Sequence, residues 1–273
     1  MPGSPAPTMG RVSELPVSVR LALWATAAFA GRMTLGQALD AAMPDLDLVA
    51  GRIERLATWG ELGERAVLVA LPHPGDPGLL PRGREVLAAA TESGECVFVP
   101  GLGDVLVPTV GEIGPPDEGD LDRSPDRVGA VRWAAYDGEP VPVHAVDALD
   151  LREVDRRLRE TMTGAIHTFE GLDVQPWACD GVRAIAEATL MNGRWGLPEG
   201  LSDRARRVIA QAGTLGEITT LALAHLRDAT TLTATAARHA ELLRLRREAD
   251  RMLAEATCVA ALHLAGFRGE DRD

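Results

Sequence analysis

Between residues 202 and 267 the apolar positions recur at steps of three and four. Leu242, Leu245, Ala249, Met252, Ala256 and Val259, followed by His263, lie along one face of a long helix. Upstream, Ala205, Val208, Ala212, Leu215, Thr219, Ala222 and Leu226 repeat the rhythm with smaller side chains, which let a neighbouring helix approach. Joined across residues 227–233, the two stripes predict an antiparallel helical hairpin. Stripes this long can exceed what one chain covers. Leu242, Leu245, Ala249, Met252, Ala256 and Val259 are therefore the candidate interaction face, a seam for a helix of this chain or of a second subunit.

The rest of the chain divides by its period. A first apolar helix is expected over residues 17–30. Thr34-Leu35-Gly36-Gln37 fits a capping box opening a short second helix that ends near Pro44. Asp45 then caps a third over residues 46–59, with Leu48, Val49, Ile53, Leu56 and Ala57 inward. At Arg65 the pattern changes. Residues 66–71 form a continuous apolar run, read as a buried strand, and residues 73–81 a Pro/Gly loop. Two helical turns are expected around residues 86–90. Residues 96–99 and 105–107 read as a hairpin about Gly101 and Gly103, residues 112–127 as an acidic loop, and residues 128–136 as another strand. A returning edge strand is expected over residues 141–146, since Pro140 and Pro142 exclude it from a sheet centre. From Asp150 onward the chain reads as helical. Its first helix carries Leu151, Val154, Leu158, Met162, Ala165 and Phe169 inward and ends near Gly171; another covers residues 178–191. The helix from Asp203 is expected to break and restart within residues 213–217.

These elements predict an α+β fold, mostly helical. A small antiparallel sheet is flanked by N-terminal helices and followed by a helical C-terminal half. The expected organisation is a tail over residues 1–15, an α+β domain over 16–148, a helical domain over 149–267 and a polar tail over 268–273.

Composition narrows the function classes. The chain has 273 residues, 46% of them hydrophobic but only 4% aromatic, so its core must be built from Leu, Val and Ala. Every basic residue is arginine, as a high-GC genome would favour, and the net charge is -12. Acids outnumber arginines two to one over residues 1–150 and the two balance over residues 202–273. A field of that sign repels polyanions, which argues against nucleic acid. The cysteines Cys96, Cys179 and Cys258 have no paired spacing, which suits a reducing compartment without disulfides or structural zinc. The apolar run at residues 21–30, bracketed by Arg20 and Arg32, is too short to span a bilayer. A cytoplasmic protein without membrane attachment is expected.

Candidate chemistry is sparse. No two of the six histidines are three to five residues apart, and HExxH, ExxH and GxSxG are absent, so neither a metal site nor a cofactor is expected. His239-Ala240-Glu241 matches only half of a zinc deaminase signature. Gly101 and Gly103 precede a strand where a dinucleotide fingerprint needs a helix. Cys179, near an expected helix start that would favour a thiolate, forms with His167 and Asp180 the compact reactive set open to nomination as catalytic. Glu153–Arg157, Asp155–Arg159, Arg244–Glu248, Arg246–Asp250 and Arg251–Glu255 are each spaced four apart along one helix, the spacing of a solvated face. Arg204, Arg206 and Arg207 are the exception by their placement. They open a helix at the end where positive charge is unfavourable, and no local pattern accounts for them.

Residues 35–65, with Pro44-Asp45-Leu46-Asp47 and Gly63-Glu64-Arg65, and the later run at residues 94–101 together resemble conserved hypothetical proteins of high-GC actinobacteria. The resemblance implies a bacterial cytosolic protein and brings no activity, ligand or catalytic residue. The leading expectation is a non-catalytic interaction or scaffold protein acting through helical surfaces, with a protein partner or as a homodimer. Two alternatives stand beside it. One is a small-molecule enzyme with its site between the sheet and the C-terminal helices. The other is a winged-helix regulator, whose would-be recognition helix carries Asp47 and Glu54 against Arg52 and Arg55.

Overall fold

The computed structural model describes residues 15–113, 128–171, 196–226 and 232–268. Within them the α+β, mostly helical architecture is present. Its elements are α1 (Val17–Phe29), α2 (Leu35–Ala42), β1 (Leu48–Gly51), α3 (Arg55–Glu61), β2 (Leu68–Ala70), α4 (Arg84–Ser93), β3 (Cys96–Phe98), β4 (Asp104–Ile113) and β5 (Val128–Asp137). Four helices follow: α5 (Val143–Asp147), α6 (Leu151–Gly171), α7 (Asp203–Leu226) and α8 (Leu232–Leu264).

The strands form one sheet in the order β1-β5-β4-β3-β2. It is antiparallel from β5 to β2, as expected, but β1 lies parallel to β5, so the sheet is mixed. This is the main correction to the expected chain order. Residues 46–59 do not make one helix; they make β1 and the short α3. Tertiary bonds override the helical period there. Asp47 N–H donates to Gly129 O at 2.8 Å, its carboxylate accepts from Gly129 N–H at 3.1 Å, and Arg52 N–H donates to Trp133 O at 2.7 Å. Gly51 closes the strand at a left-handed φ of 89°, where an added Cβ would lie 2.1 Å from Trp133 O.

Two further expectations give way to short-range geometry. Residues 141–146 are not a returning strand. Pro142 instead caps α5, its carbonyl accepting from Ala145 N–H at 2.9 Å. Likewise α7 runs unbroken through Gly213 and Gly216. Packing does not demand the second glycine, since a Cβ there would make only ordinary contacts, 3.5 Å from Asp250 Oδ1 and 3.9 Å from Ala249 Cβ on α8. The Thr34 capping box forms as expected, with Gln37 N–H donating to Thr34 Oγ1 at 3.3 Å and Gln37 Oε1 accepting from Thr34 N–H at 3.0 Å.

α1 is enclosed on nearly every side. Pro16 gives it no side-chain cap, and Glu95, just before β3, accepts from Ser18 N–H at 2.8 Å instead. Burial raises the Glu95 carboxyl above its ordinary range, against the lowering effect of that same hydrogen bond. Arg20, also buried, donates to Leu15 O at 3.1 Å and pairs with Asp45 at 2.6 Å. Thr26 Oγ1 accepts from Val67 N–H at 2.9 Å, pinning α1 beside β2.

The end of α8 returns to the same place. Cys258 Sγ lies 3.2 Å from Val69 O, and Arg65 donates to Ala265 O at 2.8 Å. One apolar core therefore runs through both halves of the chain, from Leu21, Leu68 and Phe98 to Ile209, Met252 and Val259. Across α7 and α8, Gly216 faces Asp250 and Thr220 bonds Arg246; one number rises as the other falls, so the two helices are antiparallel. α6 joins them through Arg157–Glu255 to α8 and Asp155–Arg207 to α7, completing a three-helix bundle. No helix among the described residues is long and apolar enough to cross a membrane.

Candidate functional site

The polar groups that converge most closely do so where the loop after β2 meets the bundle. His73-Pro74-Gly75-Asp76 is a tight turn, with proline at its second position and Gly75 at φ 82° at its third. His73 N–H donates to Asp76 O and Asp76 N–H to His73 O, each at 2.9 Å, so the two side chains leave the loop as neighbours. They meet consecutive residues of α8. His73 Nε2 lies 2.8 Å from Asp250 Oδ2, and Asp76 Oδ2 lies 2.6 Å from Arg251. Arg246, one turn earlier, places Nε 2.6 Å from the same Asp250 oxygen and reaches Gly216 O at 3.1 Å and Thr220 on α7.

Burial orders these groups. The Asp250 side chain is 6% exposed and that of His73 25%. A carboxylate so enclosed needs compensation, and Arg246 and His73 supply it. Burial pushes the Asp76 carboxyl up, but hydrogen bonding and charge from Arg251 outweigh burial and hold it below its ordinary range. With Nε2–H donated to the Asp250 carboxylate, the neutral His73 ring carries its lone pair on Nδ1, the atom that would accept a proton. Among the described residues no serine, threonine or cysteine hydrogen-bonds His73, so the arrangement orients a proton acceptor without arming a nucleophile.

Of the expected reactive set, Cys179 and Asp180 lie outside the described residues. His167 is exposed on the second half of α6. The candidate interaction face is buried within the chain: Leu242, Leu245, Ala249, Met252, Ala256 and Val259 are all 2% exposed or less. Helices α7, α1 and α6 and strand β2 pack against α8. Met162, expected inward on α6, is 39% exposed, and Ile166 one turn on is 58% exposed, whereas Ala165 is buried as expected, at 7%.

Arg204, Arg206 and Arg207 do find partners. Arg207 donates to buried Asp155 on α6 at 2.9 Å, with Arg204 Nε 4.0 Å from the same oxygen, and Arg206 donates to Pro198 O at 3.0 Å. The other thiols are inert: burial pushes Cys258 up to about 12 and Cys96 further still. Arg55, placed on the expected recognition helix, pairs with Asp104 at 2.9 Å and Asp137 at 2.8 Å. Among the described residues no three His, Cys, Asp or Glu side chains converge as a metal-binding set.

Sequence reasoning missed the His73–Asp250 pair, whose members are 177 positions apart. The tight-turn signature at residues 73–76 was the one local signal that His73 and Asp76 would leave the loop side by side.

Comparison with known families matches residues 18–147 to the Rv1486c-like protein, N-terminal domain, and residues 152–254 to the Rv1486c-like protein, C-terminal domain. No curated protein and no solved structure matches the chain.

Proposed function

From the premise that the chain belongs to the Rv1486c-like family, we propose that it is a non-catalytic interaction protein of the bacterial cytoplasm, acting through the outer half of α6. One observation carries this reading. Met162 and Ile166 stand exposed at one-turn spacing on α6, while the apolar residues of the longer α8 stripe are buried. Exposed apolar pairs on a helix face are what a partner helix or groove reads. The surface proposed here thus replaces the α8 stripe, which the chain's own core consumes.

The test is capture from native lysate, together with sedimentation of the purified chain, in the wild type and in a Met162→Glu/Ile166→Glu variant. A stoichiometric partner or a dimer, lost in the variant while the helical circular dichroism persists, supports the reading. A monomer without a partner in the wild type contradicts it.

A second reading is favoured by the His73–Asp250 pair, which sits between the loop after β2 and the C-terminal helices. It is that of a small-molecule enzyme using His73 as proton acceptor. A metabolite that raises the melting temperature of the wild type but not of His73→Gln would favour it over the first.

A further inference from the structure

Asp155 is met by more positive charge than one carboxylate can answer. Its Oδ2 takes an ion pair from Arg159, one turn along α6, and a second from Arg207 Nη2 on α7 at 2.9 Å, with Arg204 Nε flanking at 4.0 Å. The Asp155 side chain is 4% exposed, whereas those of Arg159 and Arg207 are 67% and 51% exposed. Each of these two guanidiniums gives Asp155 a single nitrogen, Nη2. Among the described residues the rest of each fork has no acceptor. Of the neighbouring acids on α6 and α8, Glu255 pairs with Arg157, and Glu153 and Glu160 pair with Arg156.

Two facts give this surplus a shape. Both bonds end on the same oxygen atom, so the guanidiniums are held side by side, within the span of one small oxyanion. Their unspent N–H groups face water, and a planar guanidinium fork matches the oxygens of a phosphoryl group. The chain as a whole is strongly acidic, with a net charge of -12, which disfavours a polyanion but not one compact dianion docked on a local surplus.

We propose that Arg159 and Arg207 bind the phosphoryl group of a small metabolite, with Asp155 as the positioning residue that holds the two guanidiniums together. The phosphoryl oxygens accept from the free edges of both forks. Asp155, buried beneath, does not touch the ligand. Free phosphate and a phosphate monoester share this chemistry.

The experiment is calorimetric titration of the full chain with inorganic phosphate and, separately, with glucose 6-phosphate, at ionic strength held constant with sodium chloride. Saturable binding of at least one probe, at one per chain, is expected, and the tighter of the two identifies the source. Arg159→Gln leaves Arg204 and Arg207 on Asp155 and so preserves the fold, which circular dichroism checks. It should weaken binding at least tenfold, as should Arg207→Gln. Arg156→Gln, on the same helix but paired with Glu153 and Glu160, should leave binding unchanged. No saturable binding to the wild type, or equal weakening in Arg156→Gln, would overturn the proposal.

Discussion

His73 and Asp250, 177 positions apart, meet at 2.8 Å and fasten the loop after β2 to the middle of α8. Asp250 also holds Arg246 at 2.6 Å, so its one buried carboxylate joins loop, α8 and, through Arg246, α7.

Removing one partner of a buried ion pair costs about 3–5 kcal/mol, because the other charge is left uncompensated. Asp250→Ala should therefore lower stability by about that amount. His73→Ala leaves the Arg246–Asp250 pair intact and forfeits only one hydrogen bond to a charged group, about 1.5–3 kcal/mol. Urea midpoints of the two variants should fall in that order, and the reverse order would mean that Asp250 is not the hub.

Asp104 sets an acid limit on the sheet. Burial alone would raise its carboxyl, but hydrogen bonds from Arg55 and Trp59 outweigh burial and hold it below the ordinary value of 3.8. A carboxyl whose folded pKa is depressed contributes stability that is present above its unfolded pKa and lost as pH falls through the folded one. Stability should thus decline as pH drops below about 3.8, and Asp104→Asn should flatten that part of the profile. Parallel acid-unfolding curves for the two proteins would show that Asp104 does not carry the dependence.

Gly51 is the backbone condition for β1. Its left-handed φ alone would cost a non-glycine residue about 1–2 kcal/mol. The approach of a Cβ to Trp133 O adds to this, since the obstruction is backbone and no rotamer relieves it. Gly51→Ala should lower the denaturant midpoint by more than the conformational cost alone and speed amide exchange at Arg52, which donates to Trp133 O. Unchanged exchange there would place the strain elsewhere.

Much of the architecture was legible because its signals are local. The Thr34 capping box, the apolar run feeding β2 and the three- and four-residue stripes of α7 and α8 each state their own structure. What failed depended on distant partners. The helical period at residues 46–59 was real, yet the hydrogen bonds that β5 offers Asp47 and Arg52 turned its first part into a strand. Gly216 reads as a helix breaker alone, yet it lies inside an unbroken α7, its carbonyl accepting from Arg246 of α8. The site was less legible still. His73 lay in a loop with no reactive spacing, and Arg246–Asp250 read as an ordinary i, i+4 pair on a solvated face. Even the length of the α8 stripe misled, because its apolar excess is absorbed by α1 and β2, two elements more than 160 residues upstream in the sequence.

That absorption is the central claim, since the proposed partner surface on α6 rests on it. The direct measurement is the denaturant midpoint of Leu245→Ala at several protein concentrations, with Arg247→Ala as the exposed control. Arg246 cannot serve as the control, because it is tied to Asp250. A buried Leu replaced by Ala costs about 2–5 kcal/mol, and an exposed surface change stays within about 0.5 kcal/mol. A large Leu245→Ala effect that does not vary with concentration is the predicted result. A midpoint that rises with concentration, or a Leu245→Ala effect as small as that of Arg247→Ala, would contradict it.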